Sequence, residues 1–186
     1  MAILSDSRIL REMKRGNILI EPFYQECLGS NSYDIHLGRF IGMYRPDETL
    51  DPKKENHMSI FEIPEDGFVF EPGRFYLAST LEYTATEKFV PYLDGKSSIG
   101  RLSISIHESA GNGDVGFKGH WTLQMGVDQK CSVYYGMPIG QIRYETIKGR
   151  ILNPYHKKQN SKYSDQGDKP VPSMMWKNFG KDPIWK

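Results

Sequence analysis

The stretch WTLQMGV at residues 121–127 alternates apolar and polar side chains, which is typical of a half-buried β-strand. One face of this strand carries four apolar side chains, Trp121, Leu123, Met125 and Val127. The other face carries Thr122, Gln124 and Gly126, so it is polar and narrow. The first face predicts a core. The second is compatible with either a solvent-facing surface or the wall of a ligand site.

Short strands of the same kind recur along the chain, separated by Gly, Pro, Asn and Asp. They are predicted at 32–37, 68–70, 74–80, 132–135 and 139–144. Only one segment predicts a helix, which Ser5 can cap and Gly16 can end. Its apolar residues recur at helical spacing, at Ile9, Leu10 and Met13. The sequence therefore predicts a mainly β domain, a sandwich or barrel, with a short N-terminal helix.

Composition excludes several classes of protein. The 186 residues suffice for one domain, and 24 Lys and Arg balance 23 Asp and Glu, so no strong field favours a nucleic-acid polymer or a membrane surface. No apolar run approaches a membrane span, and no signal peptide is evident, so we expect a cytoplasmic protein. Cys27 and Cys131 lie far apart, which predicts reduced thiols rather than a disulfide or a structural zinc site.

Residues 95–101, GKSSIGR, form the first candidate ligand segment, here called the GKSS segment. Two glycines, two hydroxyls and two cations lie within seven residues, and such a set can hold phosphate oxygens. The spacing is not that of a P-loop. A capped turn that enters a short helix is an equally good interpretation of the same residues.

Residues 110–119, AGNGDVGFKG, form the second candidate, here called the Asp loop. Four glycines in ten residues predict a tight loop that another group can approach closely. Asp114, between Gly113 and Val115, could serve a ligand, or it could bond its own backbone as turn residues often do.

The C-terminal part of the chain combines a polar stretch with apolar residues. Residues 157–172 have the composition of a disordered tail, yet four apolar residues follow, Met174, Met175, Trp176 and Phe179. We therefore expect this part of the chain to dock, with the polar stretch acting as a mobile loop or lid.

Together these segments resemble the dCTP deaminase family, a branch of the dUTPase superfamily. The resemblance covers nearly the whole chain and includes ILSD at 3–6, GSNSYDIHLG at 29–38, GKSSxxR at 95–101 and GMPIGQ at 136–141. It implies a distorted, jelly-roll-like β-barrel as one domain over 1–186, with segment 155–186 covering the nucleotide. It also implies a homotrimer with active sites at subunit interfaces.

The resemblance further implies a role for each candidate residue. Phosphate and base contacts would come from Lys96, Ser97, Ser98 and Arg101, of which Ser97 and Arg101 would organise the reacting water and the base. Asp114 would lie near the sugar, and the pyrimidine would meet Thr122, Leu123 and Gln124. The triphosphate would meet Tyr155, Lys162 and Gln166. Mg²⁺ would be held mainly by the triphosphate, and dTTP would bind the same site as an inhibitor.

One departure from the family matters for chemistry. The family has a glutamate, its general base, where this chain has Gln124. That glutamate takes a proton from the water that attacks C4 of cytosine, which a carboxamide cannot do. Three explanations are open: an engineered isosteric change that traps substrate, a natural relative that has lost deamination, and an altered base specificity.

The leading functional hypothesis is zinc-independent deamination of dCTP to dUTP and ammonia in pyrimidine deoxynucleotide synthesis. Ala110-Gly111 resembles family members that also cleave dUTP to dUMP. The alternatives are a dUTP pyrophosphatase without deaminase activity and a non-catalytic deoxynucleotide-binding sensor. The histidines lack the sequence context that zinc-dependent cytidine deaminases need, so we expect no zinc. We expect structural roles for His107, His120 and Cys131.

Overall fold

The computed structural model of the chain describes residues 2–107 and 110–179. Within them the helices are α1 (Asp6–Lys14) and the single turn α2 (Ser97–Gly100), with 3₁₀ turns at Gln25–Cys27, Tyr155–Lys157 and Met175–Phe179. The strands are β1 (Ile18–Glu21), β2 (Tyr33–Tyr44), β3 (Met58–Glu62), β4 (Phe68–Phe70), β5 (Tyr76–Thr86), β6 (Phe89–Gly95), β7 (Ile104–Ser105), β8 (Lys118–Val127), β9 (Cys131–Val133) and β10 (Pro138–Thr146). None of the helices in these ranges has the length and apolar character needed to cross a bilayer.

Most strands join one antiparallel sheet in the order β6-β10-β2-β5-β8-β7. β1 adds to β5 and β3 adds to β2, while β4 and β9 form a separate pair. The long strands change partners where their registers shift, between Leu37 and Ile41 in β2 and between Ser79 and Tyr83 in β5. Such irregularities bend strands, so the sheet curls into a nearly closed barrel. The prediction of a mainly β, barrel-like fold is confirmed.

The N-terminal helix forms where the sequence predicts it. The Ser5 hydroxyl accepts a hydrogen bond from the Arg8 amide at 3.4 Å, and Ile9 is fully buried. Gly16 has a positive φ of 71° and donates its amide to the Met13 carbonyl at 2.9 Å, which ends the helix.

The two faces of β8 differ as the alternation predicts. Its apolar face is buried in the core, with Leu123 and Met125 fully inaccessible. Thr122 and Gln124, on the other face, are half-buried, so this face is recessed rather than an open solvent surface. A recessed polar wall is what a ligand site requires.

Strand β5 runs six residues beyond the predicted end at Thr80 because its polar side chains are satisfied inside the barrel. Glu82 is fully buried and accepts hydrogen bonds from the His36 amide at 2.9 Å and from His36 Nδ1 at 2.5 Å. Thr84 accepts from Trp121 Nε1 at 2.9 Å. The polar residues of this half of β5 are typical of a loop in the sequence, but in the structure they form hydrogen bonds inside the barrel.

Strand β6 was not predicted from the sequence because it contains Pro91, and proline is rare within strands. β6 stands at the edge of the sheet, paired with β10 on one side. An edge strand tolerates proline at a position where the missing amide would not point toward the neighbouring strand.

Candidate active site

A cavity of about 520 Å³ opens against the polar face of β8. Thr122 and Gln124 form its floor, Asp114 of the Asp loop forms one side, and Tyr155 and Gln166 reach in from the C-terminal segment, residues 155–179. These five residues are distant in the sequence, and all of them were predicted to contact a nucleotide. The fold thus brings part of the predicted site together.

Apolar and aromatic side chains complete the cavity, and the sequence analysis did not identify them. They are Tyr44, Leu50, Phe75, Leu77, Phe117, Tyr163 and Val171. They come from separate strands and loops, so no spacing rule joins them in the sequence. A mostly apolar wall with a few convergent polar groups is the usual composition of a small-molecule site.

The GKSS segment does not line the chain's own cavity. Its residues form the one-turn helix α2, which the buried Ile99 holds to the barrel. Ser97, Ser98 and Arg101 are exposed, and the Lys96 ammonium pairs with the Asp34 carboxylate. The interpretation as a turn entering a short helix is thus correct for the conformation. It leaves three side chains facing solvent in the single chain.

Leu123 and Lys162 also lie outside the cavity wall. Leu123 is fully buried in the core on the opposite face of β8. Its side chain faces away from the cavity, because alternation along a strand sends neighbouring side chains to opposite faces, and a nucleotide contact at Leu123 stays a prediction. Lys162 is half-buried within the C-terminal segment.

The glycines of the Asp loop are approached closely, as predicted, but by parts of the same chain. A Cβ added at Gly111 would collide with the Leu93 carbonyl oxygen, and one at Gly113 would collide with the Trp121 ring. The Gly111 carbonyl accepts the Leu93 amide at 2.7 Å, which brings the loop against β6. Packing against neighbouring strands is thus sufficient to explain both glycines.

The C-terminal segment docks along β8, mainly through hydrogen bonds. The Thr122 hydroxyl donates to Gln166 Oε1 at 2.7 Å and accepts from the Val171 amide at 3.1 Å. Pro170 is buried, whereas Met175 of the proposed apolar anchors is exposed. The prediction that this segment docks is confirmed. Residues 180–186 of the predicted covering tail lie outside the described residues.

His107 belongs to the cavity wall, beside Gln124. Burial lowers the pKa of His107 below its ordinary value of 6.5, and the contact with the Gln124 side chain opposes that effect. The imidazole is therefore neutral at pH 7. His120 donates from Nδ1 to the Thr80 carbonyl at 3.0 Å, which fits the expected structural role.

Charge in the cavity is sparse. Asp114 is the one carboxylate that the described residues place in its wall. Its Oδ2 lies 2.7 Å from Nζ of Lys158. Across residues 2–107 and 110–179, no three His, Cys, Asp or Glu side chains converge as a metal-binding group. The described part of the cavity wall thus combines one acidic side chain with amides, hydroxyls, an imidazole and aromatic rings.

Comparisons with known proteins show the family to which the chain belongs. Residues 3–147 match the dCTP deaminase-like family. The chain is 43% identical to "dCTP deaminase, dUMP-forming" of Clostridium acetobutylicum over 178 residues, which are 95% of this chain and 98% of that protein. A protein of the same name from Clostridium beijerinckii is 43% identical, over 96% of this chain and 99% of its own length.

The fold is also similar to a solved structure, the 2'-deoxycytidine 5'-triphosphate deaminase from Agrobacterium tumefaciens. The TM-score is 0.62 and the sequence identity is 21%. The match covers 81% of this chain and 50% of that one, so this chain spans about half the length of that protein. At this identity the likeness supports the fold alone.

Proposed function

This chain belongs to the dCTP deaminase-like family, and we propose that it binds pyrimidine deoxynucleoside triphosphates in the cavity beside β8 and hydrolyses them in the cytoplasm. The full reaction of this type converts dCTP and water to dUTP and ammonia, then cleaves dUTP to dUMP and pyrophosphate. The names of the Clostridium relatives, which are called dUMP-forming, support the two-step form.

The observation that carries the proposal is the carboxamide of Gln124 on the cavity side of β8. An amide can donate to and accept from the edge of a pyrimidine, so base binding is retained. It cannot take a proton from the attacking water, and loss of a general base typically slows a reaction by about 10²–10⁴. We therefore propose that deamination is impaired in this chain.

Cleavage of dUTP has no need of a base at position 124. It requires a water held in line with the α-phosphate and stabilisation of the developing charge. Asp114, the carboxylate in the cavity wall, can orient that water or the adjoining sugar. Pyrophosphate release is thus the step that this set of residues favours.

The phosphates need cations, and none of the described residues that line the cavity is a Lys or an Arg. We propose that a neighbouring copy in a homotrimer supplies Lys96, Ser97, Ser98 and Arg101 to each site. The exposure of Ser97, Ser98 and Arg101 supports this arrangement, because a surface segment is free to meet a second chain. Mg²⁺ would be held by phosphate oxygens and water, since the described residues offer no cluster of carboxylates to bind it.

A non-catalytic nucleotide sensor is the second candidate. Two groups that face the cavity already have partners within the chain, which favours this function. Asp114 pairs with Lys158, and the Thr122 hydroxyl is hydrogen-bonded to the C-terminal segment. In a protein that binds nucleotide without converting it, these contacts would hold the C-terminal segment closed and would break or form on binding. Inhibition by dTTP at the same site stays a prediction under either function.

The decisive experiment incubates the parent chain and Gln124→Glu with Mg²⁺ and either dCTP or dUTP, and separates the nucleotides by chromatography. We expect dUMP from dUTP with both proteins, and a gain of about 10²–10⁴ in dCTP conversion for Gln124→Glu. Equal conversion of dCTP by the two proteins would show that position 124 is not the base. Binding of both nucleotides without any product would favour the sensor.

A further inference from the structure

The C-terminal segment places a cation on Asp114 that neither the resemblance nor the comparisons assign. Lys158 directly follows the 3₁₀ turn Tyr155–Lys157, and its Nζ lies 2.7 Å from Asp114 Oδ2. This is the only ion pair that Asp114 makes with the described residues. The Lys158 side chain is 37% exposed, and its ammonium lies 5.7 Å from the centre of the Tyr155 ring, which lines the cavity.

The approach of Lys158 is fixed by contacts immediately before it. The Tyr155 amide donates to the Val115 carbonyl at 2.8 Å, and His156 Nδ1 donates to the Gly116 carbonyl at 3.3 Å. Gly116 has φ of +88°, and a Cβ there would lie 2.8 Å from the Tyr155 amide nitrogen. The segment is therefore seated on the two residues that follow Asp114.

A second anchor holds the other end of the same stretch. The Asp165 amide donates to the Lys118 carbonyl at 2.9 Å, and the His120 amide donates to the Gln166 carbonyl at 3.0 Å. Gly119 has φ of +138°, and a Cβ there would lie 2.7 Å from the Gln166 amide nitrogen. Lys158 thus lies between two points at which the segment is bonded to the Asp loop and to the start of β8.

We propose that Lys158 is a positioning residue for Asp114 in nucleotide hydrolysis, which rests on the function proposed above. By binding Oδ2, the ammonium fixes the plane of the carboxylate and leaves Oδ1 for a sugar hydroxyl or the hydrolytic water. Lys158 stays protonated and transfers nothing. Its effect is to keep Asp114 in one orientation before the substrate arrives, which removes a reorganisation step from catalysis.

Lys157 provides a matched control on the same turn. It has the same charge and is exposed, but it makes no ion pair with any residue in the described ranges. An exposed ion pair contributes little to folding stability. Lys158 and Lys157 should therefore be equivalent in stability measurements and differ in catalysis.

The test measures kcat and KM for dUTP with Mg²⁺ in the parent, Lys158→Met, Lys158→Arg and Lys157→Met. For Lys158→Met we expect kcat to fall about tenfold to a hundredfold with KM changed less than about threefold, since a small misplacement of a reacting group has effects of this size. Lys158→Arg should recover most of the rate, and Lys157→Met should match the parent. An unchanged kcat for Lys158→Met, an equal loss in Lys157→Met, or a raised KM alone would overturn the proposal.

A second measurement does not depend on turnover. NMR couplings of Asp114 in the nucleotide-free chain report whether its side chain holds one χ1 rotamer. We expect one rotamer in the parent and in Lys157→Met, and averaging in Lys158→Met. A single rotamer retained in Lys158→Met overturns the positioning role. Absence of dUTP hydrolysis in the parent would instead count against the proposed function, so the two failures are distinguishable.

Discussion

The GKSS segment and the Asp loop are alike in sequence and differ in where the fold places them. Both are short, rich in glycine and polar, and each carries residues suited to a nucleotide. The Asp loop is packed against its neighbours at its glycines: strands β6 and β8 contact it and the C-terminal segment is hydrogen-bonded to it. The Asp114 side chain is half exposed and lines the cavity. The GKSS segment stands on the surface as one helical turn, with Ser97 and Arg101 exposed.

Two segments that are both expected to contact one nucleotide therefore do not meet each other within a single chain. The Asp loop contributes a carboxylate to a cavity in the same chain, and the GKSS segment presents hydroxyls and a cation outward. In a shared site, substitutions in the Asp loop and in the GKSS segment should impair contributions that come from different chains.

Mixing two inactive variants tests whether the active site is shared between chains. Asp114→Asn and Arg101→Ala alone should each reduce dUMP formation from dUTP about a hundredfold or more, because each removes a charged group that acts on the transition state. Co-expressed in equal amounts, they should recover about a quarter of the parental activity, since a random symmetric assembly pairs an intact Asp114 with an intact Arg101 in about that share of sites. A mixture as inactive as its components would place both groups in one chain's site.

The strand behind the cavity and the GKSS segment should also differ in how much each contributes to the stability of the core. Leu123→Ala removes a fully buried side chain from the strand behind the cavity and should reduce the free energy of unfolding by about 2–5 kcal/mol. Ile99→Ala in the GKSS segment should fall near the lower end of that range, because a surface turn can collapse into the gap. Urea unfolding of both variants checks the order. A larger decrease in the free energy of unfolding for Ile99→Ala than for Leu123→Ala would contradict the expectation that the GKSS segment contributes less to the core.

A pair of glycine variants sharpens the contrast in packing. Gly111→Ala should destabilise the fold by about 1–3 kcal/mol, because its Cβ would meet the Leu93 carbonyl oxygen. A Cβ at Gly100 would meet no atom within 4 Å, so Gly100→Ala should leave the isolated chain unchanged. Thermal unfolding measures both. If Gly111→Ala keeps its stability but loses dUTP cleavage, then Gly111 makes room for a water, as its resemblance to dUMP-forming members suggests.

The smallest effect concerns His107, which lies in the chain between the two segments. Its pKa is lowered in the folded protein from an ordinary 6.5 by burial, so the neutral form is favoured. The contribution of neutral His107 to the free energy of unfolding is fully present above pH 6.5. It is lost as the pH falls through the lowered pKa of the folded state. His107→Gln should therefore lose less stability than the parent between about pH 6.5 and the acid limit of folding. His57→Gln, at an exposed position, should behave as the parent. Parallel acid profiles for all three proteins would rule out this role for His107.

Local patterns in the sequence were enough for several features of the fold. Alternation in residues 121–127 predicted which face of β8 is buried, because a strand sends successive side chains to opposite sides. Ser5 and Gly16 predicted both ends of α1, because their caps depend on neighbours within four residues. Strands whose polar residues are satisfied from afar, such as the second half of β5 with Glu82, were missed.

Part of the candidate site could also be anticipated. The residues quoted for the family resemblance included Asp114, Thr122, Gln124, Tyr155 and Gln166, and the structure brings these five together around one cavity. The aromatic wall, including Tyr44 and Phe75, could not be anticipated, since its members share a surface without sharing a spacing.

The β texture, the N-terminal helix and the set of polar residues available for chemistry could be read from the sequence alone, because these features follow from each residue and its near neighbours. Only the tertiary structure decided which of those residues meet. It placed Asp114 in the cavity wall, left Arg101 on the surface outside the cavity and set Lys158 against the Asp114 carboxylate. The physical reason is that such meetings depend on strand register and on close approaches at glycines such as Gly116, which are set by contacts between parts of the chain far apart in sequence.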